Sequence, residues 1–416
     1  MTDPLPRPPK KDPQRVQAVP LLPPGARSRA ALGLTAAAAE ARFALQRCVA
    51  CDALQYPPRD ACHACLSTEL AWRDVDPAGA LIAETTVHTS PNLYFRREAP
   101  WRVGTVRLDA GISIVTHVHG DCARGGRVRL INRLDRGGQG VLMALPEGGT
   151  PDMADDTELR QLTADPKHRR VLVTDARQDS APALARALLE AGATTVFMGE
   201  SETWRPYPQR AALAAMGHVH LLPLDVTDTS SVARLAGEIG GKTDILVNNA
   251  RFVRPGGILA RGDVGFAQQE MDVNAMGPMR LAQAFGPGMR ARGADGTNSA
   301  VAWVNILAAY ALVNDPAYGS FNASQAAALS VAQSLRGELR PGGIRVVNVF
   351  AGPTEDAWHQ EVPPPKVTPG ALAKAVVQGL RDGAEEVWCG DVARDLRDRL
   401  RRDPKVVERE LAGGGT

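Results

Sequence analysis

The chain has 416 residues, 44% hydrophobic and 23% charged, an ordinary globular composition that excludes a mainly disordered polypeptide. Its 48 basic and 46 acidic side chains nearly cancel, which argues against nucleic-acid binding driven by bulk charge. The sequence holds no long uncharged apolar run to span a membrane and no basic-then-apolar signal pattern at its start, so a cytoplasmic protein is the expectation.

At roughly 150 residues per domain, the length predicts two or three domains. Residues 1–30 form a proline-rich arm, with eight prolines in the first 24 positions and Lys10 and Lys11 among them. Residues 31–70 are expected to hold a helix and a metal ribbon. The stretch 31–47 is rich in helix formers, with Thr35 as a candidate cap and Leu34, Phe43 and Leu45 as anchors. Cys48, Cys51, Cys62 and Cys65 follow as C-x2-C-x10-C-x2-C. Each C-x-x-C turn aims two thiolates at one ion, and two such turns complete a closed tetrahedral shell for a structural zinc. The bound metal substitutes for a core that so short a segment cannot build. His63 lies inside the second knuckle but is a spectator beside four thiolates. Cys122 and Cys389 are isolated and read as inert.

From 71 to 147 the texture changes to short alternating apolar runs separated by Gly, Pro and Asp, which predict a small OB-type β-barrel. Tyr94, Phe95, Arg96, Arg97, Trp101 and Arg102 form a local basic–aromatic cluster. It suits the phosphates of a nucleotide, a single-stranded nucleic acid or a plain barrel loop. Residues 148–168 are polar and turn-rich and read as a linker. Residues 169–416 alternate buried strands with helical patterns, predicting a doubly wound, Rossmann-like parallel sheet. Two more helical patterns fill the tail, after Pro363-Pro364-Pro365-Lys366.

The landmarks of this last segment are the strand at Val171–Val173, LDVTD at 224–228, ILVNNA at 245–250, DVNAMG at 272–277, VNIL at 304–307 and FNASQAAA at 321–328. In that order and spacing they resemble the short-chain dehydrogenase/reductase family over nearly all of 169–352. The resemblance implies a glycine-rich phosphate turn, a Tyr/Lys pair for proton transfer, a Ser that polarises the substrate oxygen and a supporting Asn. The chain departs from that pattern. Where the family has Thr-Gly-x-x-x-Gly-Ile-Gly, it reads Thr174-Asp175-Ala176-Arg177-Gln178-Asp179-Ser180-Ala181. Two carboxylates beside a pyrophosphate would cost about a few kcal/mol, and the backbone loses its freedom of close approach.

The Tyr and Lys positions correspond to Phe321 and Gln325, and the Ser position to Ala308; only the Asn is kept, as Asn274. Phe has no hydroxyl to transfer a proton. Tyr310 and Tyr318 lie nearby without a lysine four residues on, and no lysine occurs between Lys242 and Lys366. The expectation is a degenerate dehydrogenase that does not use NAD(P). Asn248, Asn249 and Asn274 then serve structure, and Asp225 is a loop acceptor.

A helix, a four-cysteine ribbon with Pro57-Pro58-Arg59 in its loop, the following Trp72 and Gly79, and a small barrel resemble the zinc-ribbon/OB-fold proteins once called domain of unknown function 35, over about residues 35–147. That resemblance implies association with thiolase-like enzymes acting on acyl-CoA thioesters. Together the two resemblances imply a non-catalytic accessory subunit of a thiolase-type or aldolase-type complex in a β-oxidation-like degradation pathway. The implied partners are a thiolase-like protein, acyl-CoA, and a second copy or an intact dehydrogenase homologue paired through helices containing Ala275–Arg292 and Ser324–Arg340. The alternatives are an NAD(P)-dependent oxidoreductase of a hydroxyacyl-CoA with an atypical site, and a nucleic-acid-binding OB protein.

Overall fold

A computed structural model describes residues 19–26, 28–151, 153–295 and 300–413. Most of the proline-rich arm, residues 1–18, and the terminal residues 414–416 lie outside the described residues. Helix α1 (Leu32–Ala39) leads into a three-stranded antiparallel ribbon of β1 (Ala44–Cys48), β2 (Leu54–Gln55) and β3 (Leu70–Asp74), ordered β2-β1-β3. The helix ends earlier than the 31–47 stretch predicted. Ala41 takes a left-handed φ of 57°, and the chain from Ala44 pairs instead with β3. Thr35 is not a cap. It sits within α1, and its hydroxyl accepts the N–H of Gly140 at 3.0 Å. A Cβ on Gly33 would lie 2.0 Å from Trp72 Nε1, so only glycine lets α1 lie flat on the ribbon's indole. Trp72 thus belongs to the ribbon sheet rather than to the barrel.

Five strands close the barrel in the order β4-β5-β6-β8-β7: β4 (Ala78–Val87), β5 (Trp101–Leu108), β6 (Ser113–Val118), β7 (Arg127–Leu134) and β8 (Gly140–Pro146). Alternate residues of β7, Val128 and Leu130 among them, are buried with Leu81, Val106 and Ile114, as the period-2 pattern requires. Helix α2 (Leu93–Glu98), capped by Asn92, crosses between β4 and β5. The 148–168 stretch is more than a linker. Asp156 caps helix α3 (Thr157–Leu162), which buries Leu159 and Leu162 against Met143 of the barrel.

The remainder is a seven-stranded parallel sheet ordered β11-β10-β9-β12-β13-β14-β15. Its strands are β9 (Arg170–Val173), β10 (Thr195–Glu200), β11 (Val219–Pro223), β12 (Ile245–Asn248), β13 (Ala302–Ala308), β14 (Arg345–Ala351) and β15 (Glu386–Cys389). Strand order reverses between β9 and β12, the switch point where doubly wound sheets bind ligands. One face packs α4 (Ala181–Glu190) and α10 (Pro369–Asp382) through Leu184, Leu188, Leu372 and Val376, beside the short α5 (Arg210–Ala214). The other packs α6 (Thr229–Ile239), α8 (Gly277–Asp295) and α9 (Gly319–Leu339) through Leu235, Phe285, Trp303 and Leu335, with α7 (Gly265–Met271) before them. The tail holds three helices and a strand where two helical patterns were expected, because α11 (Asp391–Arg402) and α12 (Pro404–Ala412) follow β15. Among the described residues no helix is long and apolar enough to cross a membrane.

Candidate functional site

The ribbon brings its four cysteines together. Their sulfurs all lie within 4.8 Å of one another, with Cys48–Cys65 at 3.5 Å and Cys51–Cys62 at 3.6 Å. A tetrahedral shell with Zn–S near ~2.3 Å needs sulfurs about 3.8 Å apart, so the donor set fits zinc. The knuckles are built alike. Asp52 N–H donates to Cys48 O and Leu66 N–H to Cys62 O, each at 3.0 Å, and both residues turn left-handed, at φ 63° and 62°. Backbone N–H groups of Cys65 and Ala64 donate to Cys62 and pull its thiol down to about 6. His63 stays out of the cluster, its ring near Gln55 Oε1 at 3.4 Å. Cys122 and Cys389 are buried elsewhere, and burial pushes both thiols up to about 11.

At the C-terminal end of the sheet, each predicted site residue serves the fold. Asn274 sits in a π-helical turn, Asp272–Met276. Its side chain accepts the N–H of Phe252 at 2.9 Å and donates to Phe252 O and to Ser324 Oγ, both at 2.8 Å. Gln325 Oε1 accepts the N–H of Ala308 at 2.8 Å. Phe321 is buried with Val253, Ala308 and Tyr318. Where the family places an acid and a base, this chain has an apolar plug beside a cavity of about 30 Å³. Tyr318 donates to Trp358 O at 3.2 Å, and Tyr310 is half-buried, its phenol pushed up to about 12 by burial.

The phosphate turn is equally occupied. Asp175 N–H donates to Asn249 Oδ1 at 2.7 Å, Ala176 N–H to Gly199 O at 2.7 Å, and Ala181 N–H to Gln178 O at 2.9 Å. Asp175 itself takes the N–H of Arg177 at 2.9 Å and the amide of Gln178 at 2.7 Å. Burial pushes the carboxyls of Asp175 and Asp179 up. Asp179 meets Gln209 at 2.6 Å, and Arg177 turns away to the carbonyl of Arg205 at 2.9 Å. Thr174 Oγ1 accepts from the N–H of Asn249 at 3.1 Å and of Ala250 at 3.2 Å. Asp225 accepts from Thr227, as a loop acceptor does.

Across the cleft mouth runs a network absent from the sequence reading. Arg251 pairs with Asp356 at 2.6 Å, and His359 Nδ1 meets the other Asp356 oxygen at 2.8 Å. Burial alone would raise Asp356, but His359, Arg251 and the Thr354 hydroxyl overrule it and hold this carboxyl well below the ordinary range. The cavity left there is about 110 Å³, against the roughly 300–1,000 Å³ of ligand sites. With the N–H groups of Asp175, Ala176, Arg177 and Ala181 engaged, two acids in the turn and a cavity this small, the residues present do not fit the family's dinucleotide.

A larger opening lies elsewhere, a cleft of about 940 Å³ between barrel and sheet. Tyr94, Phe95, Arg97 and Trp101 of the basic–aromatic cluster line it, whereas Arg96 turns to Ser90 O and Arg102 to the carbonyls of His119, Gly120 and Cys122. Arg136, Arg160, Arg169 and Arg345 complete its wall. These come from four separate segments with no shared periodicity, so no sequence pattern marked them.

Such a parallel sheet behind a zinc ribbon and an OB barrel defines a multidomain protein with a dehydrogenase-type fold. The family model for Enoyl-(Acyl carrier protein) reductase matches residues 178–386, half of the chain. The models for the ChsH2 rubredoxin-like zinc ribbon and the ChsH2 C-terminal OB-fold domain match 35–71 and 72–132. The chain belongs to the short-chain dehydrogenase/reductase family and carries ChsH2-type domains at its N-terminal side. It is 30% identical over 230 residues to the ketoacyl reductase HetN of Nostoc sp., covering 53% of this chain and 77% of that protein. It is 28% identical over 203 residues to the short chain dehydrogenase tazN of Aspergillus terreus, covering 47% of this chain and 44% of the relative. The chain thus spans less than half of that relative's length. A solved short chain dehydrogenase from Burkholderia cenocepacia J2315, in complex with NADP, superposes with a TM-score of 0.53 at 31% identity, over 59% of this chain and 98% of that one.

Proposed function

We propose that this protein is a non-catalytic accessory subunit of a thiolase-type or aldolase-type complex acting on acyl-CoA thioesters, in a β-oxidation-like degradation. In this reading the dehydrogenase-like half is kept as a folded body. The zinc ribbon and barrel present the surface that holds the partner enzyme, which supplies the activated thiolate for carbon–carbon cleavage. The observation that carries the reading is the apolar plug: Phe321 and Ala308 stand where a proton donor and a polariser belong, and Gln325 is committed to the backbone. A group without a titratable proton cannot do acid–base work at that position.

The test is purification of the tagged full chain from its native host, with the zinc content measured. Co-purification of a thiolase-like protein, lost in Cys48→Ser, supports the reading. The rival, an NAD(P)-dependent oxidoreductase of a hydroxyacyl-CoA, draws on the family itself and on the NADP-bound relative. Turnover of a hydroxyacyl-CoA with NADH or NADPH by the isolated chain would establish the rival and remove the accessory role.

A further inference from the structure

We propose that the cleft at the C-terminal end of the parallel sheet, which does not fit a dinucleotide, is a latched site for a small monocarboxylate carried on a single ring. The ligand's carboxylate takes the place of Asp356 on Arg251, and its ring lies on the apolar wall around Phe321. The cleft holds two cavities, of about 110 and about 30 Å³. Among the described residues, Arg251 alone lines both. Asp356 faces the first and His359 the second, so the chain Arg251–Asp356–His359 is the partition between them. Opening that partition joins the two. An apolar cavity of roughly 150 Å³ admits a benzene ring, so the joined space suits one ring and nothing as long as a dinucleotide.

A loop carries the partition. Residues 354–366, between β14 and α10, close on themselves at a neck, where Val367 N–H donates to Pro353 O at 2.7 Å and Glu355 N–H to Val367 O at 2.9 Å. Beyond the neck, side chains of other segments fasten the loop. Arg251 holds Asp356 at 2.6 Å and Thr354 Oγ1 at 3.0 Å, the Tyr318 hydroxyl donates to Trp358 O at 3.2 Å, and the Arg254 guanidinium lies 4.4 Å from the Trp358 ring. Asp356 also accepts the N–H groups of Trp358 at 3.0 Å and His359 at 3.2 Å, so it moves with the loop. A loop closed at its neck and latched by side chains swings as a unit and leaves the strands in place.

The charges select the ligand. The Arg251 side chain is 14% exposed, and its fork already holds a carboxylate, the group that guanidinium geometry matches. A monocarboxylate exchanges for Asp356 one for one and leaves the net charge of the site unchanged. A dianion does not, because Asp179 and Glu355 share the first cavity and Asp315 the second. Asp179 is tied to Gln209 at 2.6 Å, and Asp315 caps its own turn at the N–H of Ala317, 2.9 Å away, so both stay in place. Arg177, the other cation of the first cavity, is turned to the carbonyl of Arg205 at 2.9 Å. A cationic ligand would meet Arg251 itself. The second cavity is walled by Ala308, Phe321 and Val362, with the Tyr318 ring stacked on His359 at 5.6 Å, a lining for a ring and not for a polar chain. The site stands on this cleft alone and is independent of the accessory role.

Ligand-observed NMR of the zinc-loaded full chain with benzoate, against benzyl alcohol and acetate, tests the site. Benzoate is expected to bind at least about tenfold more tightly than either control, which carries only the ring or only the charge. In the parent chain Asp356 competes for Arg251, so affinity is reduced by the fraction of time the loop stands open. Asp356→Ala removes the competitor and is expected to bind benzoate about tenfold more tightly than the parent, with a larger rise in unfolding temperature on adding benzoate. Arg251→Lys keeps a charge beside Asp356 but loses the fork, and is expected to weaken benzoate about tenfold with an unchanged circular dichroism spectrum. Amide hydrogen exchange in 355–362 of the parent should quicken when benzoate is added. Benzoate and benzyl alcohol binding alike, no benzoate binding to the parent or to a folded Asp356→Ala, affinity in Asp356→Ala no tighter than the parent's, or Arg251→Lys binding as the parent does, overturns the proposal. Should Asp356→Ala fail to fold, the parent and Arg251→Lys titrations decide it.

Discussion

Gln325 Oε1 holds the backbone N–H of Ala308 at 2.8 Å, so the side chain in the family's lysine position is spent on the residue in its serine position. Both residues are buried, Gln325 at 2% and Ala308 at 7% exposure. A lysine placed here would leave the Ala308 N–H unpaired and bring an ammonium group into an apolar plug.

Restoring the family's residues therefore carries a cost. Gln325→Lys alone is expected to destabilise the chain by about 1–3 kcal/mol, read from urea unfolding. The triple replacement Ala308→Ser, Phe321→Tyr and Gln325→Lys is expected to oxidise no NADPH, because the phosphate turn remains blocked by Asp175. Measurable turnover by that triple variant would show the turn to be adequate as it stands.

The network at the cleft mouth makes stability depend on acid. Asp356 is held below its ordinary range, so its contribution is complete above the unfolded value of ~3.9 and is lost as pH falls further, through the folded value. Asp356→Asn strands Arg251 in a site where its side chain is 14% exposed, and is expected to cost about 3 kcal/mol at neutral pH. Denaturation midpoints should converge for the two proteins as the pH drops below about 4. A constant gap down to pH 2 would contradict the pairing.

Zinc removal should unfold only part of the chain. Chelation, or Cys48→Ser, is expected to abolish metal binding and open the ribbon, while the parallel sheet keeps its own transition. Zinc content and a two-step calorimetric trace give the readout. Leu66→Gly should act in the other direction: a leucine at φ 62° with 77% exposure is strained and loses little on removal. The gain is expected to be about 1 kcal/mol in the stability of the ribbon.

The two halves should separate when Arg345 is cut back. Its three carbonyl acceptors belong to β7 and to the end of α3, and charged hydrogen bonds of this kind contribute about 1.5–3 kcal/mol each. Arg345→Ala is expected to expose residues 148–156 to limited proteolysis and to split one unfolding step into two. A single unchanged transition would show that the halves are held by other contacts.

How much of this was legible depended on how local the cause is. The zinc site reads directly, because four thiols at that spacing have one common chemistry. The Rossmann order reads from its string of buried strands. The end of α1 did not, since Ala41's backbone and the pairing of Ala44 with Asp74 are decided by a strand about thirty residues further on. Strand β15, Glu386–Cys389, is too short to show a period between two helices. Arg251 and Asp356 are 105 residues apart, and the cleft arginines lie on four segments, so only folding assembles them.

The outer rim of the sheet has its own consequence. Ala39 O, at the end of α1, receives the N–H of Glu385 at 2.7 Å; Glu40 pairs with Arg401, and Arg133 with Asp382 at 2.5 Å. The N-terminal module thereby shields the approach to β15, one of the two rim strands that would otherwise offer bare main chain to a neighbour. Severing the chain before residue 169 would strip that shield, and the released fragment would be adhesive along β15.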